Sequence, residues 1–283
     1  MRRRTPAIGA GRCRGGTNAM NRLQMSLGRA LARYLSQPIA GYAPPTTGTP
    51  EALRAAIRPG DVLLVEGNTR VSTAIKYLTQ STWSHAALCV GDALATSDNA
   101  ADPPVLVEVD MVDGCQAVPL SKFARYHTRI CRPVGLSAAD RQRVVSYAIA
   151  RIGHTYDLKN IVDLARYLLP TPPIPSRFRR QVLALGSGEP TKAICSTLIA
   201  QAFQQVAYPI LPRVTRRWNP DAATDEELFC PRHHTLVAPR DFDISPYFQV
   251  VKPTIEQGFD YRALPWAAQR QTPDEVVRLA ATI

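Results

Sequence analysis

The sequence predicts an α+β domain, and three observations predict it. Five short apolar runs between Val62 and Val134 are separated by turn-rich segments, a well-capped helix opens at Ser137, and an apolar helix opens at Cys195. With 283 residues and 45% hydrophobic content the chain can bury a substantial core. No apolar run reaches about 18 residues, so no membrane-spanning helix is expected.

The N-terminal region differs in composition from the rest. Residues 1–34 hold eight arginines (Arg2, Arg3, Arg4, Arg12, Arg14, Arg22, Arg29 and Arg33) and no acid, so +8 of the net charge of +11 lies there and +3 in everything after. The pI of 9.7 is thus no sign of a nucleic-acid face on the folded body, and no nucleic-acid partner is expected. The arginines are not followed by the apolar stretch of a secretory signal. Met1 to Asn18 has the Gly/Arg composition of unstructured chain, which makes Met20 and Met25 the expected alternative starts. From Asn21 to Leu35, leucines at 23, 27, 31 and 35 predict an amphipathic helix that docks on the body or makes a peripheral membrane contact. The Pro- and Thr-rich stretch from Gln37 to Pro50 reads as a linker. The expected division is an extension over 1–50, a catalytic domain over 51–252 and a helix-bearing extension over 253–283.

Within the domain, Arg58-Pro59-Gly60-Asp61 is a turn and Val62 to Val65 a buried strand. Ser72 to Thr79 carries helical spacing, and His85 to Val90 is the second strand, with His85, Ala87 and Cys89 on one face. Those small neighbours predict a helix seated against the His85 face. Val105 to Asp110, Ala117 to Leu120 and Arg129 to Val134 are the next strands. Ser137 and Asp140 form an acidic capping pair, and the helix they open has a stripe from Val144 to Ile152 and a stop at Gly153. A second helix is expected over about 158–169. A proline- and arginine-rich loop over 170–190 reads as a lid or binding loop that covers the thiolate and attracts an anionic substrate or, more cheaply, as a solvated charged loop. Leu236 to Asp243 is an apolar run, Tyr247 to Val251 a late strand, and Thr272-Pro273-Asp274-Glu275 opens a terminal helix.

Six cysteines, at 13, 89, 115, 131, 195 and 230, make no close pair, which suits reduced thiols in the cytoplasm. Cys230-Pro231-Arg232-His233-His234 has the look of half a zinc site, but four ligands are needed and no second half exists, so neither metal nor other cofactor is expected.

The chemistry centres on Cys195. Apolar positions at 195, 198, 199, 202, 203 and 206 place it in the first turn of a helix with one buried face. There the backbone N–H groups and the positive end of the helix dipole favour thiolate over thiol. The candidate base is His85. Glu108, an acid in an apolar strand, is a candidate third member, and Asp110 shares its strand face. A lone buried cysteine is ordinarily inert, so the combination carries the reading.

Taken in order, Pro59-Gly60-Asp61, Ser84-His85 opening a strand, an acid in the following strand, Gly153-His154-Thr155-Tyr156-Asp157, Cys195-Ser196-Thr197-Leu198-Ile199 and Pro239-Arg240-Asp241-Phe242-Asp243-Ile244-Ser245 resemble the YiiX/YaeF-like permuted papain-like amidases of the NlpC superfamily. The resemblance covers roughly residues 55–252. Papain-like chains place Cys before His; here His85 precedes Cys195, as circular permutation implies. The resemblance implies a circularly permuted papain-like fold, an antiparallel sheet against the nucleophile helix. It implies Cys195 as nucleophile, His85 as base and acid, and Glu108 as orienting carboxylate, with Asp110 in reserve. Tyr156, Ser84 and Ser196 fall at substrate- or oxyanion-binding positions. The implied reaction is amide hydrolysis through a thioester, on a peptide, isopeptide or acyl-containing substrate. The permuted branch also resembles lecithin–retinol acyltransferase-like enzymes, which gives lipid acyl transfer as the enzymatic alternative and a non-catalytic binding module as the alternative of another class.

Overall fold

The computed structural model describes residues 30, 33–39, 49–96, 101–110, 112–154, 194–219, 224–256, 258–260 and 262. The expected helix over 158–169, the loop over 170–190, Tyr156, the terminal helix and most of 21–35 lie outside them.

Helix α1 (Pro50–Ala56) opens the body, with Thr49 Oγ1 accepting from Ala52 N–H at 3.2 Å and proline in the first turn. Then come β1 (Val62–Val65), α2 (Arg70–Thr79), β2 (His85–Cys89), β3 (Pro104–Asp110), β4 (Gly114–Pro119) and β5 (Thr128–Pro133). They are followed by α3 (Ala138–Ile149), α4 (Ile194–Gln204), β6 (Arg213–Asn219), β7 (Thr224–Cys230), α5 (Pro239–Asp243), β8 (Phe248–Val251) and α6 (Pro253–Glu256). Six strands make one sheet in the order β4-β3-β2-β1-β5-β8, antiparallel at every pairing. The architecture is α+β, as the sequence predicts.

The two faces of the sheet bury different partners. Val62, Leu64, Ala86, Leu88, Val107 and Val109 pack with Leu198, Ile199, Ala202 and Phe203 of α4 and Val144 and Ala148 of α3. Leu63, Val65, Ala87, Cys89 and Leu106 pack with Leu53 and Ala56 of α1 and with Phe123. The helix seated on the His85 face is therefore α1, and α4, the helix that carries Cys195, lies on the other face. α4 also departs from the single buried face expected of it. Cys195, Ser196, Thr197, Leu198, Ile199 and Ala200 are all buried, because this first half is enclosed by the sheet on one side and the segment around Val237 on another.

The turn before β1 owes its conformation to one carboxylate. Gly60 has φ +89°, and Asp61 accepts from Arg58 N–H at 2.9 Å and from Arg132 Nη2 at 2.7 Å. Burial raises the Asp61 pKa, and the Arg132 hydrogen bond works against that rise. Other differences from expectation are local. α3, capped by Ser137, ends at Ile149 rather than Gly153, and the next turn tightens to i→i+3 bonds. Part of the predicted apolar run over 236–243 is α5, in which Asp241 accepts from Ala238 N–H at 3.1 Å. The β6–β7 hairpin was not predicted. At the N-terminal side, Leu35 is buried and Arg70 donates to Tyr34 O at 3.1 Å and Gln37 Oε1 at 2.6 Å, so the end of the leucine-periodic segment rests on α2.

Candidate active site

His85 is the first residue of β2, so its ring stands at the end of the sheet, where the N-terminal turn of α4 brings Cys195. The Cys195 side chain lies close enough to the His85 ring to raise its proton affinity. Its Nε2 lies 2.7 Å from Glu108 Oε2, which leaves Nδ1 as the ring nitrogen for the thiol. Glu108 faces Ala87 across the β2–β3 ladder. The period of two therefore puts His85 on Glu108's side of the sheet, one step along the diagonal.

Glu108 is the most buried acid of this site, its side chain 1% exposed. Gln116, directly opposite on β4, donates to Oε1 at 3.1 Å, and Lys122 binds the same oxygen. Burial works to raise the Glu108 pKa, but the hydrogen bonds and charges of His85 and Lys122 outweigh it and hold the carboxyl at about 2. For His85 burial works against the imidazolium, yet the Cys195 sulfur and the Glu108 carboxylate raise its pKa to about 10. Cysteine, histidine and carboxylate thus form a continuous chain, imidazole in the middle, arranged for proton transfer from a thiol.

The remaining sequence-predicted positions fall as follows. Ser84 is buried, its hydroxyl accepting from Gly67 N–H at 2.9 Å, which fixes the entry to β2. Ser196 donates to Val237 O at 2.6 Å and ties α4 to the segment before α5. Asp110 Oδ1 accepts from Val112 and Asp113 N–H at 2.8 and 2.6 Å, and its Oδ2 from Gln116 at 2.8 Å, so it shapes the turn beside Glu108. Trp83, just before the histidine, donates from Nε1 to Asp243 Oδ2 at 3.0 Å under the Arg129 guanidinium, so α5 also braces the strand entry. Gln116 and Lys122 were not found from the sequence. Gln116 carried a weak signal, a polar residue within one strand of an acid, but β4 begins three residues before its predicted start at Ala117. Lys122, in the single turn Leu120–Phe123, carried none.

Among the described residues no group of three or more His, Cys, Asp and Glu is placed to hold a metal ion. A cavity of about 800 Å³ lies at the opposite end of α4, between Gln204, Tyr208, Leu211, Phe229 and Tyr247. It is a full helix length from Cys195 and takes no part in the chain of groups above.

An antiparallel sheet carrying a histidine and a carboxylate, faced by a cysteine at a helix start, defines the papain-like class of cysteine hydrolases. Residues 56–167 match the family described as permuted papain-like amidase enzyme, YaeF/YiiX, C92 family, a match that supports an enzyme of hydrolase type. The matched stretch holds His85 and Glu108. Among solved structures, the chain is similar to the crystal structure of metalloprotein yiiX from Escherichia coli O157:H7, at 15% identity and a TM-score of 0.40, over 69% of this chain and 96% of that one. No curated protein matches the chain. Among the described residues no helix is long and apolar enough to cross a membrane.

Proposed function

We propose that the protein hydrolyses an amide bond with Cys195 as nucleophile, His85 as general base and acid, and Glu108 as the group that orients the imidazole. The observation that carries this is the position of His85, between the Cys195 side chain on one side and Glu108, hydrogen-bonded at 2.7 Å, on the other. His85 takes the thiol proton, the thiolate attacks the carbonyl carbon, and the imidazolium returns a proton to the leaving amine. Water, activated by the same imidazole, then cleaves the thioester. The N–H groups of the first turn of α4 are the natural donors to the oxyanion, with Tyr156 assigned to the same cleft from the sequence. Ser84 and Ser196 support the two catalytic elements by their bonds to backbone. The substrate is peptide-like, isopeptide-like or otherwise acyl-containing, and the extension over residues 21–35 supplies any contact with a membrane surface. Free cysteines at 89, 115, 131, 195 and 230 suit a reducing, cytoplasm-like compartment.

The test needs no substrate. Iodoacetamide labelling of Cys195, followed by peptide mapping across pH, is expected to proceed where an ordinary thiol, ionising near about 8.5, is still largely protonated. His85→Ala is expected to abolish that early reactivity. A Cys195 that labels no faster than denatured thiol, with or without His85, overturns the proposal. Amide and ester substrates are then compared, and turnover of esters alone turns the reading to acyl transfer.

A further inference from the structure

Glu108 Oε2 goes to His85, but its other oxygen is held as firmly. Gln116 Nε2 donates to Oε1 at 3.1 Å and to Asp110 Oδ2 at 2.8 Å, so that amide is fixed between two acids. Lys122 binds Oε1 as well. Its segment, Leu120–Phe123, is anchored by two buried side chains, Leu120 and Phe123. The Phe123 ring lies 6.0 Å from that of His85, so one short turn brings a cation to the carboxylate and an aromatic ring to the imidazole. We infer that Lys122 is a positioning residue of the catalytic chain: by binding the outer oxygen of Glu108 it keeps the inner oxygen on His85 and sets the pH range over which the pair works. This rests on the reading of Cys195, His85 and Glu108 given above.

Two physical effects are involved. The ammonium fixes the carboxylate rotamer, a contribution Gln116 shares. It also places a positive charge beside Glu108, whose other neighbours are His85 from β2, Gln116 from β4 and, through Gln116, Asp110 on its own strand; Cys195 on α4 faces it through His85. Removing a cation increases the proton affinity of every group it faces. Both limbs of the alkylation profile, the acid rise set by formation of the thiolate–imidazolium pair beside an ionised Glu108 and the further change in rate where the imidazolium loses its proton and leaves a free thiolate, then move to higher pH together. A lysine that only supported the fold would lower the amplitude and leave both limbs where they were.

The experiment is the pH profile of Cys195 alkylation by iodoacetamide on the full chain, with Lys122→Met, Lys122→Gln and Lys122→Arg beside wild type, and His85→Ala and Glu108→Gln as references. Both uncharged variants are expected to move the profile upward by about half to one pH unit, a modest shift because the lysine side chain is 40% exposed and screened. Lys122→Arg is expected to retain the wild-type positions. An unmoved profile in both uncharged variants, while His85→Ala and Glu108→Gln still suppress labelling, overturns the role of Lys122 and leaves the catalytic chain standing. References that label like wild type overturn the catalytic reading and this inference with it.

Discussion

Glu108 and His85 have opposite pH signatures that can be read as stability. The carboxyl is held at about 2 against an ordinary 4.5, so its stabilising contribution is complete above the ordinary value and is lost as pH falls toward 2. The imidazole is held at about 10 against 6.5, so its contribution is complete below 6.5 and is lost as pH rises through 10. Glu108→Gln should flatten the fall in Tm between pH 4.5 and 2 relative to wild type, measured by calorimetry, and should also weaken the alkaline dependence by removing the partner of the imidazolium. An unchanged acid slope would mean that this carboxylate is not ionised and paired in the folded protein. At this scale the sequence was informative about Cys195, His85 and Glu108, because reactive residue types stood out against apolar neighbours. Gln116 and Lys122 were illegible for a physical reason: an amide and a lysine are ordinary on any strand or turn, and only the register Glu108 to Gln116 and the fold of Leu120–Phe123 give them a task.

Among the elements, α4 depends on its far end. Phe203 is fully buried among the rings of Tyr208, Phe242 and Phe248, at centroid distances of 5.5, 6.4 and 5.3 Å. Phe203→Ala should cost about 3–5 kcal/mol in chemical denaturation and loosen the helix that presents Cys195, lowering its labelling selectivity. By contrast, Ser137→Ala removes the hydroxyl that accepts from Asp140 N–H at 3.1 Å and should cost only about 1 kcal/mol, with Cys195 reactivity unchanged. Helix starts were readable where a cap stood before an apolar period, as at Ser137. α1 carried a similar signal in Thr49-Pro50-Glu51, hidden by the proline-rich stretch before it. The β6–β7 hairpin was illegible for the opposite reason. Its cross-strand partners include Arg216 with Glu227 and Arg217 with Glu226, and β7 is exposed throughout, so neither strand shows the buried alternation that marks a strand in sequence. The side of the sheet taken by α4 was likewise beyond reach, because Ala86 and Ala87 are equally small and only tertiary packing chooses between them.

Across the described part of the molecule, burial silences the cysteines that have no base beside them, while Cys195, also buried, lies against His85. Cys89 is pushed up to about 12 and Cys115 to about 11 by desolvation, Cys131 is raised by the same cause, and Cys230 is exposed. Among the described cysteines, native protein treated with a mild electrophile at neutral pH should therefore label at Cys195 and Cys230 and leave Cys89, Cys115 and Cys131 untouched until it is denatured, as peptide mapping would report. Early modification of Cys89, Cys115 or Cys131 would mean that the sheet opens on the timescale of the reaction.

The order of the proposed catalytic groups along the chain has a consequence for biosynthesis. His85, Glu108, Gln116 and Lys122 all precede Phe123, and Cys195 follows some seventy residues later. At roughly 5–20 residues per second, the ribosome delivers the nucleophile about 4–14 s after the groups that activate it. Strands β1 to β5 have that interval in which to pair before Cys195 leaves the exit tunnel. A chain truncated between Phe123 and α4 carries the residues proposed to handle the proton and lacks the proposed nucleophile, so termination there is expected to yield a fragment without amidase activity.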